Sequence, residues 1–107
     1  MSESIFKIEF YVPVSHLESV KQAVFDAGAG QIGHYDQCAW QTVGQGQFRP
    51  APGSKPYLGA VGELETVDEY KVELVCAEAN LKRAVAALRD SHPYEEPAYG
   101  VIKLITG

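Results

Sequence analysis

FKIEFYVPVSHLESVKQAVFDAG (residues 6–28) decides the fold once it is laid against YKVELVCAEANLKRAVAALRDSH (residues 70–92). At an offset of 64 the two stretches align without a gap and share five identities in 23 positions: Lys7/Lys71, Glu9/Glu73, Leu17/Leu81, Ala23/Ala87 and Asp26/Asp90. More telling is the common physical plan. In the first copy Phe6, Ile8, Phe10 and Val12 fall on one face of a strand, with Lys7, Glu9 and Tyr11 on the other. Leu17, Val20, Val24 and Ala27 then recur at helical spacing, and Gly28 offers a C-terminal stop. Ser15 and Glu18 have capping-box spacing, which predicts that each satisfies the other's backbone donor.

Each βα unit needs a following strand, and residues 38–43 and 99–105 supply candidates. The plan is βαββαβ: an α+β, ferredoxin-like domain over 1–107, with a four-stranded antiparallel sheet and two helices on one face. Phe6, Ile8, Phe10, Tyr70, Val72 and Leu74 are expected to point at the helices. Lys7, Glu9, Lys71 and Glu73 then mark the opposite face. That face is too polar for a dry core, so it is either solvated or paired through charges inside an oligomer.

A length of 107 residues suits one domain, and 46% apolar with 21% charged residues is ordinary for a globular chain. The net charge of −5 argues against nucleic-acid binding, which favours a basic patch. No apolar run approaches the length of a membrane span, and the N-terminus lacks the basic and apolar regions of a secretory signal. Cys38 and Cys76 form neither a CxxC pair nor a disulfide framework. The expectation is a cytoplasmic protein with two buried thiols.

Two connections do more than join elements. VGQGQFRPAPGSKPYLGAVG (43–62) holds five of the ten glycines and three of the six prolines, which excludes a regular helix. Arg49 and Lys55 are its only charged residues, a local excess that suits an anion cradled by glycine-flanked backbone N–H groups. Phe48 and Tyr57 are the alternative anchors of a purely structural loop. ELETVDE (63–69) reads as a solvated approach to the third strand. In HPYEEP (92–97) each proline biases the residue before it away from the helical region. The predicted outcome is a helix ending near Ser91, then a stiff, extended corner with Tyr94 as packing anchor.

His92, Glu95 and Glu96 are competent metal ligands within five residues, and His34 with Cys38 forms a second, sparser group. Neither has closed structural-zinc spacing, so a divalent metal at HPYEEP would need another chain to complete its shell. Neighbouring glutamates in an extended stretch point apart, which disfavours a shared acid–base pair. Neither cysteine sits in a local nucleophile motif. His16, inside the capping pattern, reads as a surface helix residue.

The motifs G-x-Y-D-x-C (Gly33–Cys38), G-x-G-x-F-x-P (Gly44–Pro50) and HPYEEPAY (92–99) resemble the inserted domain of the Nif-three-like proteins. The resemblance covers nearly the whole chain. It implies a CutA/PII-like ferredoxin fold, commonly trimeric, and in CutA proteins a link to divalent-metal tolerance. Full-length relatives hold a dinuclear metal site in flanking domains, and none of His16, His34 or His92 matches those ligands, so a hydrolase activity does not transfer. The leading expectation is a non-catalytic homo-oligomer, dimer or trimer, binding a small anion or a metal at a subunit junction. In that reading Arg49 and Lys55 hold the anion, and Phe48, Tyr57 and Tyr94 wall the pocket. The alternatives are a module that docks on a partner lacking this domain, and third, a metal-dependent hydrolase.

Overall fold

The computed structural model describes residues 3–105. Strand β1 (Ile5–Pro13) passes through one 3-10 turn (Val14–His16) into helix α1 (Leu17–Asp26). Strands β2 (Trp40–Phe48) and β3 (Glu65–Ala77), helix α2 (Glu78–Ser91) and strand β4 (Tyr99–Leu104) follow. All pairings are antiparallel and the sheet order is β2-β3-β1-β4, the ferredoxin-like arrangement expected from the duplication.

The core lies between the helices and the two central strands. Ile8, Phe10 and Val12 of β1 and Val72, Leu74 and Cys76 of β3 pack on Leu17, Val20 and Val24 of α1 and on Ala84 and Leu88 of α2. Full burial of a side chain of the Val, Leu or Phe class stabilises by about 1.5–3 kcal/mol, and a one-residue slip would turn this whole set outward. Phe6 and Tyr70, expected on the same face, are half-buried at its margins.

The two helix ends are built differently. After α1, Gly28 adopts φ +103°. The Gly28 N–H donates to Phe25 C=O at 2.9 Å and the Ala29 N–H to Val24 C=O at 3.2 Å, a Schellman closure. After α2, Pro93 holds His92 at ψ 137°, outside the helix.

The start of α1 departs from expectation. Pro13 ends β1 at φ −64°, and the chain makes a 3-10 turn before the helix proper. Ser15 Oγ is consumed by His16 Nδ1 at 2.8 Å, and no side chain caps α1. In the second copy Ala77 stands at the position of Pro13, and α2 begins at once.

A second departure matters more. Val43–Phe48 is not loop but the outer part of β2, and Glu65–Glu69 is not a solvated approach but the beginning of β3. Strand β1 flanks β3 only as far as the Pro13–Glu69 pair. Beyond it β2 and β3 continue as a two-stranded arm, which contributes to a long dimension of 51 Å against 24 and 23 Å. The tip, residues 49–64, closes on itself: Pro50 is buried and its C=O accepts the Gly62 N–H at 2.8 Å.

The open face carries the expected charges in paired form. Glu9 and Glu73 stand directly opposite one another on β1 and β3. Lys7 pairs with Glu73 and lies 3.7 Å from Glu9, while Lys71 lies 3.6 Å from Glu9. The lysines thus separate two like charges that would otherwise repel. Among the described residues, no helix is long and apolar enough to cross a membrane.

Candidate ligand site

Strand alternation places Glu65, Val67, Glu69, Lys71 and Glu73 on the open face of β3. Glu69 sits where the arm leaves the sheet. On β2 beside it, Gly46 has no side chain, and the Glu69 carboxylate occupies the space a Cβ there would take. Glu69 is 9% exposed, and its Oε2 accepts the Tyr94 hydroxyl at 3.0 Å. Ion pairs among the described residues join Lys7, Lys21 and Lys71 to Glu9, Glu18 and Glu73. None reaches Glu69.

His92 locks the corner that delivers Tyr94. Its backbone N–H closes α2 on Leu88 C=O at 3.0 Å. Its ring Nδ1 accepts the Tyr94 N–H at 3.1 Å, so Nε2 carries the proton and donates to Tyr11 C=O at 2.7 Å. Both nitrogens of a neutral imidazole are therefore engaged. Burial pushes the His92 pKa below its ordinary 6.5, against a smaller opposing pull from the Tyr11 carbonyl. The Tyr94 ring packs at 4.9 Å from His92, 5.9 Å from Phe48 and 6.3 Å from Tyr57, centroid to centroid. Burial, and after it the Glu69 carboxylate, drives the Tyr94 phenol far above its ordinary pKa, so it stays a donor.

Residues 93–96 form a series of bends rather than the expected extended run. Strand alternation therefore does not apply, and Glu95 and Glu96 line one cavity instead of pointing apart. Glu95 Oε1 accepts the Lys55 backbone N–H at 3.0 Å, which pins the tip of the arm to the corner. Between arm, tip and corner lies a cavity of about 390 Å³. Its walls include Tyr11, Phe48, Tyr57 and Tyr94, and its ionisable groups include Glu69, Glu95 and Glu96.

The fold thus brings Phe48, Tyr57 and Tyr94 together around one space. Arg49 and Lys55 are exposed and neither lines it; Lys55 contributes only its backbone N–H to the closure. The metal candidates fare differently. His92 has no free lone pair, Glu95 holds the tip, and Glu96 is exposed. His34 is exposed, and Cys38 is half-buried rather than buried, with Sγ 3.7 Å from the Asp36 carbonyl. Among the described residues, no three His, Cys, Asp or Glu side chains converge on a common point. This donor set does not fit a metal ion in the arrangement observed. Cys76 is buried as expected, and burial raises its thiol pKa. His16 is not a free surface residue, since its ring meets Tyr57 edge-on at 5.7 Å.

Glu69, Gly46 and Tyr11 are the site residues that sequence reasoning missed. One signal was present: counting back by twos from Glu73 reaches Lys71 and Glu69, which extends the charged face into the acidic run.

Comparison with known proteins fits this geometry. A GTP cyclohydrolase 1 type 2 homolog of Halalkalibacterium halodurans is 43% identical over 103 residues, which is 96% of this chain and 28% of the relative. A Bacillus cereus protein related to NIF3 superposes at TM-score 0.85 with 37% identity, over 99% of this chain and 27% of that one. The chain belongs to the Nif-three-like family. This Nif-three-like chain spans only about a quarter of the length of the curated relatives it matches. CutA1 of Ehrlichia chaffeensis, a divalent ion tolerance protein, is 13% identical at TM-score 0.71, covering 100% of this chain and 87% of its own. That likeness establishes the CutA-type fold and nothing further. No family model matches the chain.

Proposed function

We infer that this Nif-three-like domain is a small-ligand-binding, regulatory module without a catalytic role of its own, and that its ligand occupies the cavity between the β2–β3 arm and the HPYEEP corner. The observation that carries the reading is the cavity itself. Its volume of about 390 Å³ lies in the ordinary range of ligand pockets, and its walls are aromatic with a few polar groups, the usual composition of such sites. Its position adds support. The cavity is bounded by the tip, held to the corner through Lys55 and Glu95, so an occupant would bear on the geometry of the arm.

The groups at the cavity are arranged for recognition rather than turnover. Tyr94 is held as a donor and His92 is fully committed to backbone partners, which leaves neither poised to exchange protons near neutrality. The name GTP cyclohydrolase homolog describes relatives of which this chain matches about a quarter, so that activity is not assigned here. Divalent-ion tolerance, named for the CutA neighbour, is not assigned either, because the candidate donors do not converge. Assembly as a homo-oligomer belongs to the same reading, and the charge ladder of Lys7, Glu9, Lys71 and Glu73, balanced within the chain, leaves the open face able to stay solvated in it.

Screening fluorinated fragments by NMR tests the site. Hits are expected to shift the backbone amides of Gly46, Phe48 and Tyr57 and to be lost in Tyr57→Ala. Hits that scatter over the surface, or that persist in the variant, would remove the cavity from consideration.

A further inference from the structure

Among the described residues, the cavity is lined by three carboxylates and by no Lys, Arg or His. The three are not equivalent. Glu96 is exposed, and Glu95 is engaged by the Lys55 N–H. Glu69 is buried, takes a single hydrogen bond from Tyr94, and has no ion-pair partner among the described residues. A carboxylate offers about four acceptor positions, and one buried without a cation is costly enough that native proteins nearly always supply a partner. Here Gly46 makes room for the carboxylate, no described cation pairs with it, and, since no fully buried side-chain oxygen among the described residues lacks a partner, its second oxygen opens on the cavity.

We propose that the missing partner is the ligand, an organic cation whose positive end lies in the cavity beside Glu69, against the rings of Phe48 and Tyr57. This deepens the reading of the cavity given above and rests on it. The rings pack on one another at 5.9 and 6.3 Å by centroid and line one cavity, so a cation in that cavity lies beside more than one aromatic ring. Such faces attract cations within about 6 Å of the ring centroid, and more strongly when the site is desolvated. Competing ligand classes fit less well. An inorganic divalent ion needs six or so oxygen ligands, which aromatic walls do not offer. An anion would enter a cavity whose charged lining is carboxylate alone. A neutral guest would fill the space and could donate to Glu69, but would bring it no counter-charge.

The test pairs cations with neutral isosteres of equal shape: choline with dimethylbutanol, and tyramine with propylphenol, each titrated into the protein and followed at the amides of Gly46 and Tyr57. The expected result is binding of at least one cation about tenfold or more tighter than its isostere, the margin a cation–π contact and a facing carboxylate supply together. Glu69→Gln keeps an acceptor for Tyr94 and is expected to abolish that preference while leaving the isostere unchanged. Tyr94→Phe keeps both ring and charge and is expected to retain it. If isosteres bind as tightly as cations, or if the preference survives Glu69→Gln, the ligand class is wrong while the cavity remains a ligand site. If no probe of either kind shifts the cavity amides, both readings fall together.

Discussion

Glu73 and Glu69 lie on one strand, on one face, four residues apart, and meet opposite circumstances. Glu73 stands over the middle of the sheet, where β1 runs alongside and brings Lys7 to its carboxylate. The Lys7 hydrogen bond accordingly holds the Glu73 pKa below its ordinary value. Glu69 stands at the last β1 pairing, where the next residues on its face belong to the arm and to glycines of β2. It is the more buried of the two, and its only described polar partner is a phenol. Identical chemistry thus becomes a neutralised, half-solvated ladder in one place and, in the other, a largely buried carboxylate with no cation beside it among the described residues. What separates them is which strand is adjacent, not anything in the residue itself. The balanced region suits self-association or solvent; the unbalanced one suits a ligand.

Three experiments test the contrast. The largest effect is expected at Gly46→Val, which fills the space of the Glu69 carboxylate. Displacing it strands the Tyr94 hydroxyl, and overpacking with a lost buried hydrogen bond costs about 1–3 kcal/mol. Urea unfolding would show this as a lower midpoint at unchanged slope. A fully stable variant would mean that Glu69 is free to leave, and the contrast with Glu73 would dissolve.

His92 comes next, because its neutral ring holds Tyr94 over the cavity. Its folded pKa is depressed by burial, so the folded state binds fewer protons than the unfolded chain below the ordinary value of 6.5. The stability it contributes is complete above about pH 6.5 and is lost as pH falls from there through the folded pKa. His92→Gln removes the titration while keeping a donor for Tyr11. Its unfolding midpoint between about pH 7 and 5 should fall less steeply than that of the parent. Equal slopes would show that His92 does not report on the corner.

The smallest effect belongs to the ladder. Lys7→Met removes the cation beside Glu73, yet partly exposed pairs in water contribute little. No resolvable change in the unfolding midpoint is expected at moderate salt, with at most a slight loss of salt dependence. A large loss would mean the open face is buried in an assembly under the conditions of measurement.

Much of the fold was legible in the chain because its signals are local. Alternation through Phe6–Val12 and Tyr70–Val75, and helical spacing through Leu17–Ala27, depend on neighbours within a few residues. Pro93 ends α2 by steric contact with the residue before it, which needs no partner at all. Local signals also misled. Ser15 and Glu18 have the spacing of a capping box, but Pro13 inserts a 3-10 turn and His16 takes the hydroxyl. Glycines at 44 and 46 and an acidic run at 63–69 both read as loop, since each has low strand propensity alone.

For the site, the materials are legible in the chain: Phe48, Tyr57 and Tyr94 as aromatic anchors, and a stiff corner at HPYEEP. Their convergence was decided only in three dimensions. Gly44–Phe48 and Glu65–Glu69 become strand because each supplies the other's hydrogen bonds, across a tip of sixteen intervening residues. That pairing buries Glu69 and turns an acid of the solvated-looking run 63–69 into a carboxylate of the cavity. His92 engages a carbonyl 81 residues earlier, and Lys55 meets a carboxylate 40 residues later. Such contacts follow from chain topology and from the requirement that buried polar groups find partners. Neither leaves a periodic mark on the sequence.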